Sequence, residues 1–305
     1  MGNLLNGKVA VITGAGRGIG RAHAIAMVEQ GAKVVVNDPG VALDGTGGDK
    51  SLADEVVAEI KEKGCEAAAN YDSIATPEGA ASLIKTAIDN FGRLDILVNN
   101  AGVSRDGMIW ELSDEDIDEV LKVHLYGHFY CAREAMKIFH EQKSGRIINT
   151  SSGAGKGGKQ GYTNYAAAKE GIVGLTRALA GDARVCGNVT ANCIRPLANT
   201  TRLAAIRQEW VASATEKGNF IVTPLSSALA SMPKVPPEGV SPLVVFLASD
   251  AADNINGCIF DTRKGYVGIY RDPPYIEGTI WKDGNWTPEE LAEIMPKSLS
   301  MGKVR

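Results

Sequence analysis

The sequence predicts an α/β protein, a doubly wound and largely parallel sheet covered by helices on both faces. Short β-branched runs alternate with longer helical patterns along most of the 305 residues. Several of those runs are apolar at nearly every position, as strands buried on both faces must be. A glycine-rich turn joins the first run to the first helix. Such alternation implies right-handed βαβ crossovers, because a right-twisted strand packs back onto its sheet only that way.

In chain order, Lys8–Thr13 (KVAVIT) is the first strand and Ile19–Gln30 its helix. Lys33–Asn37 (KVVVN) precedes a helix over Asp49–Lys63, and Glu66–Tyr71 precedes one over Pro77–Phe91. Thr76-Pro77-Glu78 places a hydroxyl cap before a first-turn proline, which has no N–H to leave unbonded. Leu94–Asn99 (LDILVN) is the fourth strand. A long helix spans Asp114–Gln142, opened by a capping-box pattern at Ser113–Asp116. Arg146–Thr150 and Asn188–Ile194 are the next strands, with a helix over Tyr162–Arg184 between them. Beyond Ile194 the periodicity loosens. Arg195–Pro237 mixes Pro, Ser and Thr around one helix, Leu203–Lys217; a helix over Pro237–Ser249 and a strand over Gly257–Asp261 complete the sheet. Thr262–Arg305 is rich in Gly, Pro, Tyr and Trp, with a short helix starting at Thr287-Pro288-Glu289. This gives a main domain at 1–261, a segment at 195–237 that lines a substrate cleft, and an extension at 262–305.

Composition narrows the classes of function. The net charge of −4, with no Lys/Arg block, argues against a nucleic-acid or anionic-membrane surface. No segment approaches the roughly 18 uninterrupted apolar residues of a membrane span. Met1–Lys8 leads straight into a strand pattern without a charged-then-apolar leader, so a cytoplasmic location is expected. Cys65, Cys131, Cys186, Cys193 and Cys258 are scattered and odd in number, which reads as buried small residues rather than a metal site or disulfide framework.

The turn Gly14-Ala15-Gly16-Arg17-Gly18-Ile19-Gly20 follows a strand and opens a helix. Glycines there let the backbone approach a pyrophosphate, whose charge the helix N-terminus favours. A tight strand–helix turn would need glycines as well, but Asp38 at the end of the second strand adds a second element. An acid there accepts both ribose hydroxyls and repels a 2′-phosphate, which favours NAD over NADP. Arg17 pulls the other way.

Tyr165 and Lys169 lie four residues apart on one helix face, so phenol and ammonium share a cleft. A phenol of pKa about 10 is a poor base at neutral pH. Three units of lowering ask for roughly 4 kcal/mol, which a fixed ammonium and a positive nicotinamide ring favour. Ser152 stands at the end of the fifth strand, where a hydroxyl can bond an oxygen that develops charge. Singly these would be an amphipathic-helix tyrosine, a solvated lysine and a loop cap; the combination points to acid–base chemistry. Tyr162 lacks a lysine one turn on, and Lys156 and Lys159 read as solvated residues of a glycine-rich loop.

Thr13–Gly20 (TGAGRGIG), Asn99-Asn100-Ala101-Gly102, Ser152 and Tyr165-x-x-x-Lys169 together resemble the short-chain dehydrogenase/reductase family over about Leu5–Asp261. The resemblance implies a seven-stranded Rossmann fold and hydride transfer at nicotinamide C4. It implies that Tyr165 is the acid/base, that Lys169 holds the nicotinamide ribose and lowers the tyrosine pKa, and that Ser152 orients substrate. Asp72, followed by Ser73, matches the adenine-contacting acid, and Asn99 the asparagine that steadies the sheet beside the cofactor. Gly14, Arg17, Gly18, Ile19, Gly20, Ala101 and Gly102 fall in the cofactor motifs. Two positions depart from the pattern. His124 stands where the family has an asparagine that completes a water-linked proton relay. Pro196-Leu197 replaces a Pro-Gly pair, and either Thr200 or Thr201 takes the hydroxyl position at the nicotinamide carboxamide.

A narrower resemblance rests on Val34–Asp38, Gly40 with the Asp44–Gly48 insertion, Ala69–Ser73, Ser113–Asp116 and Val123-His124-Leu125. These are similar to the dehydrogenase domain of multifunctional enzyme type 2 and its stand-alone bacterial relatives. That group implies NAD and (3R)-hydroxyacyl-CoA or hydroxysteroid substrates, and its active members carry the histidine. The expectation is an NAD-dependent secondary-alcohol dehydrogenase for a bulky apolar substrate such as a 3-hydroxyacyl-CoA. Leu203, Trp210, Phe220, Leu225 and Met232 are candidates to line its cleft. A hydroxysteroid or cyclic-alcohol dehydrogenase, an NADPH-dependent ketoreductase and a non-catalytic subunit are the alternatives. The long helices resemble those of family dimers and tetramers, which implies a homo-oligomer.

Overall fold

The computed structural model describes residues 2–41, 48–198, 202–221 and 235–270, and residues 282, 283, 287, 290, 291 and 294. Of Arg202–Ile206 only the helical backbone is described. Met1–Tyr270 forms one compact unit and Arg271–Arg305 a second.

The strands are β1 (Val9–Thr13), β2 (Lys33–Asn37), β3 (Ala67–Asn70), β4 (Ile96–Asn99), β5 (Ser144–Thr150), β6 (Asn188–Pro196), β7 (Ile259–Arg263) and β8 (Tyr266–Ile269). They lie in the order β3-β2-β1-β4-β5-β6-β7-β8. The sheet is parallel through β7, while β8 pairs antiparallel with it. The expected seven strands are therefore eight. The extra one comes from a hairpin whose two-residue loop, Lys264-Gly265, sets Gly265 at φ +71°. Tyr266-Val267-Gly268-Ile269 carries the strand-forming side chains, and Val267 and Ile269 are exposed along the edge. Because the order reverses between β1 and β4, a crevice opens at the carboxyl ends of these two strands, where such sheets bind ligands.

The helices are α1 (Gly18–Val28), α2 (Ser51–Glu62), α3 (Pro77–Phe91), α4 (Asp114–Leu121), α5 (Gly127–Gln142), α6 (Gly153–Gly157), α7 (Thr163–Ala183), α8 (Arg202–Glu216) and α9 (Ser241–Ala248). One apolar layer packs α1, α2 and α9 on one face through Ala24, Met27, Val56, Ile60 and Val244; the other packs α3, α5 and α7 through Leu83, Ala135, Phe139 and Leu179. Both caps read from sequence form: Thr76 Oγ1 accepts from Gly79 N at 3.1 Å, and Ser113 and Asp116 cap each other reciprocally.

Two local departures shape the site. The helix expected to run unbroken over Asp114–Gln142 is interrupted by a π turn at Lys122–Tyr126, which carries His124. One residue wound into a wider turn changes no composition, so periodicity does not reveal it. The segment after β5, glycine-rich and expected as a loop, forms α6. Ser152 caps it by accepting from Ala154 N at 3.1 Å.

Candidate active site

Gly14 adopts φ +63°, and a Cβ there would lie 2.7 Å from the Ala101 backbone. A Cβ on Gly20 would sit 2.2 Å from Gly14 O and 2.5 Å from Asn100 Nδ2. The glycine turn is thus clamped against the β4 loop with no room for side chains. Thr13 Oγ1 fastens it by accepting from Asn100 N at 2.9 Å and Ala101 N at 3.0 Å. Gly18 (φ +57°) leads into Ile19 and α1. The turn and the start of α1 form a cradle that fits a pyrophosphate.

Asp38 is buried at the end of β2, with Oδ2 accepting from Gly16 N at 3.0 Å and Oδ1 from Gly40 N at 2.8 Å. Each carboxylate oxygen keeps a second lone pair for a ribose hydroxyl. Arg17 donates to Val41 O at 2.9 Å, which ties it to the loop after β2. Asp72 Oδ2 accepts from Asn70 Nδ2 at 2.9 Å and Ser82 Oγ at 2.7 Å; Ser73 Oγ accepts from Ala75 N at 3.3 Å. Asn99, fully buried, donates to Asn149 Oδ1 at 3.0 Å, and Asn149 donates in turn to Thr176 on α7 at 3.0 Å. That chain locks β4, β5 and α7 together beside the crevice. Pro196 ends β6, and Thr200 and Thr201 lie outside the described residues.

Tyr165 and Lys169 project from the first turns of α7. Lys169 is 2% exposed, donates to Thr150 O at 2.7 Å and sits 5.5 Å from the centre of the Tyr165 ring. Burial pulls its ammonium down to about 7. Burial likewise pushes the Tyr165 phenol up to about 12, opposed by a hydrogen bond from Ser152 and reinforced by the negative charge of Asp106. The lowering expected from the lysine is absent from the protein alone, where burial dominates the phenol. The structure thus brings Ser152, Tyr165 and Lys169 together.

His124, fully buried, meets Tyr165 edge-on with ring centres 5.1 Å apart. Burial and the Lys169 charge hold it well below the usual histidine range, so the ring is neutral. Its Nε2 lies 2.8 Å from Val103 O and 3.1 Å from Val103 N, and the tautomer decides which bond forms. A Cβ on Gly102 would sit 2.3 Å from the ring, so this glycine is required by the histidine.

The sequence reading passed over Asp106 and Arg207. Asp106 sits in the loop after β4, which a bridge between Gly107 and Tyr162 holds against the start of α7. Its side chain is 1% exposed and 3.5 Å from Arg207 Nη1. Tyr162, dismissed for want of a lysine, stacks on Tyr165 at 5.0 Å and carries the Arg207 guanidinium on its ring at 4.1 Å. Trp210 and Phe220 pack edge-on at 6.0 Å beside the same cation, while the Leu203 side chain, Leu225 and Met232 lie outside the described residues. An arginine one turn before a tryptophan on α8 was the available signal. The expected apolar cleft is polar at this point.

Comparison with known proteins decides the family. The family model for short chain dehydrogenase matches residues 8–212. The chain belongs to the short-chain dehydrogenase/reductase family. It is 40% identical to the hydroxyacyl-CoA dehydrogenase ChsB1 of Mycobacterium tuberculosis, over 95% of this chain and 88% of that protein. It is 41% identical to mouse peroxisomal multifunctional enzyme type 2 over 96% of its own length, but spans only 36% of that larger protein. A crystal structure of a short chain dehydrogenase from Mycobacterium avium superposes with a TM-score of 0.81 at 40% identity, covering 99% of this chain and 97% of that one. The chain is accordingly an oxidoreductase of a family that binds nicotinamide dinucleotides. Among the described residues no helix is long and apolar enough to cross a membrane, and no cluster of three His, Cys, Asp or Glu side chains could hold a metal. None of the five cysteines is joined in a disulfide.

Proposed function

We propose that this protein oxidises the hydroxyl of a 3-hydroxyacyl-CoA to a ketone, with NAD as acceptor and Tyr165 as the acid/base. The observation that carries the reading is the convergence of the Ser152 hydroxyl, the Tyr165 phenol and the Lys169 ammonium. When bound, the dinucleotide supplies the hydride acceptor and, oxidised, a positively charged ring. Tyr165 takes the hydroxyl proton, Ser152 bonds the oxygen as its charge changes, and Lys169 stabilises the phenolate. The pKa of about 12 means that the phenolate needs charge assistance, and Lys169 is the side chain nearest to give it. The likeness to a hydroxyacyl-CoA dehydrogenase supports the substrate class.

Asp38 supports NAD. Its carboxylate lies in the cradle, bonded to Gly16 N, where a 2′-phosphate would meet an uncompensated charge. Replacing Asp38 by Ala should raise kcat/KM for NADP relative to NAD by about tenfold or more, about 1.4 kcal/mol. An unchanged ratio removes the basis for NAD. A panel of (3R)-hydroxyacyl-CoAs, hydroxysteroids and cyclic alcohols, followed by NADH absorbance, tests the substrate. Turnover confined to the steroids or cyclic alcohols overturns the acyl-CoA reading. Tyr126 and Phe129, exposed on the π turn and α5, support self-association as a dimer or tetramer.

A further inference from the structure

We propose that Arg207, held by Asp106, is a specificity residue that reads a neutral carbonyl of the substrate, the thioester carbonyl in a 1,3 relation to the reacting carbinol. The inference rests on the hydroxyacyl reading above. A pair of charges stands where an apolar lining was expected.

Arg207 is 16% exposed and Asp106 1%, and their closest approach is 3.5 Å. That is long for a charge-assisted hydrogen bond. A buried pair so loosely joined adds little to stability, since desolvating two ions costs more than such contact returns. Its position is better accounted for by a ligand. Tyr162 stacks on Tyr165 and Arg207 stacks on Tyr162, so the guanidinium lies one ring away from the acid/base. Asp106 is near enough for its charge to be felt at the Tyr165 phenol.

The guanidinium has donors to spare. It carries five N–H groups, and its hydrogen bonds among the described residues go to Gln160 O at 2.5 Å and, weakly, to Asp106. The centres of the Tyr162 and Trp210 rings lie 4.1 and 4.6 Å from its carbon, which leaves its remaining N–H groups to meet an acceptor. Asp106 determines which acceptor. A carboxylate placed at Arg207 would meet the Asp106 charge with a full negative charge, whereas a carbonyl oxygen would meet it with only a partial one. Ser104 donates to the other oxygen of Asp106, which fixes the carboxylate in place. The pair therefore suits a neutral acceptor over a free acid.

The test compares kcat/KM for a (3R)-hydroxyacyl-CoA with that for a secondary alcohol of the same chain length lacking the carbonyl. It uses the wild type, Arg207→Met and Arg207→Lys. A hydrogen bond to a charged donor is worth about 10- to 100-fold, so the thioester-to-alcohol ratio should fall by that factor in Arg207→Met and partly recover in Arg207→Lys. Asp106→Asn, which retains the shape and removes the charge, should raise the ratio of free 3-hydroxy acid to thioester by about tenfold. It also keeps the inference open to refutation should Arg207→Met fold poorly. An equal loss on both substrates makes the pair only a latch for α8 and overturns the inference alone. So does an acid-to-thioester ratio unmoved by Asp106→Asn. A wild type with no preference for the thioester overturns the hydroxyacyl reading and this inference together.

Discussion

The cofactor cradle and the substrate side of this crevice are built on opposite principles. In the cradle, backbone and short side chains satisfy one another: Asp38 takes N–H groups from Gly16 and Gly40, and Thr13 takes two from the β4 loop. On the substrate side, burial moves four titratable groups from their ordinary states. Lys169 is drawn to about 7, Tyr165 is pushed to about 12, and Tyr162 and the Asp106 carboxyl are raised. The cradle is finished in the protein alone, whereas the substrate side stores electrostatic cost that a bound charge or acceptor relieves. The difference teaches where each mutation should act.

A large effect should come from the cradle. Gly20→Ala places a methyl group 2.2 Å from a carbonyl oxygen, so cofactor affinity measured by calorimetry should fall at least about 100-fold. Retained affinity would show that the turn can shift, and that the close packing is not what shapes the cradle. Next is Lys169→Met, which removes the ammonium beside the phenol. It should lower kcat by about 100-fold and move the alkaline rise of the pH–rate profile upward. An unmoved profile would separate the lysine from the proton chemistry.

A smaller effect belongs to the buried histidines, which tests stability rather than catalysis. His23, fully buried with Nδ1 2.9 Å from Ser241 Oγ, is held down at about 3 by burial, and His124 and His128 are lowered for the same reason. Below pH 6.5 the unfolded chain binds protons that the folded one refuses, so stability falls as pH falls from 6.5 towards 3. At pH 5 the buried neutral His23 should cost about 2 kcal/mol. Urea denaturation at pH 7.5 and pH 5 checks it, and His23→Gln should flatten the dependence by one such step. An equal slope with and without His23 would contradict its burial as a neutral ring.

The same contrast explains what the sequence revealed. The cradle was legible because a pyrophosphate-binding turn tolerates glycine alone at Gly14 and Gly20, so chemistry constrains residue type at fixed spacing. Tyr165 and Lys169 were legible because one helix turn joins them. The Arg207 subsite was not, because it draws Asp106, Tyr162 and Arg207 from three segments that only the fold brings together. The π turn at Lys122–Tyr126 was hidden because an extra residue per turn leaves no compositional trace, and β8 because its Tyr266 and Gly268 match the composition of the tail that follows. The caps at Thr76 and Ser113 were legible because they are local.

The most direct test of the account is Tyr165→Phe, with turnover and cofactor affinity measured on the same preparation. The account predicts that kcat falls by about 1,000-fold while the dissociation constant for NAD changes less than threefold, since the cradle is complete without the phenol. Turnover that survives the loss of this hydroxyl would contradict it.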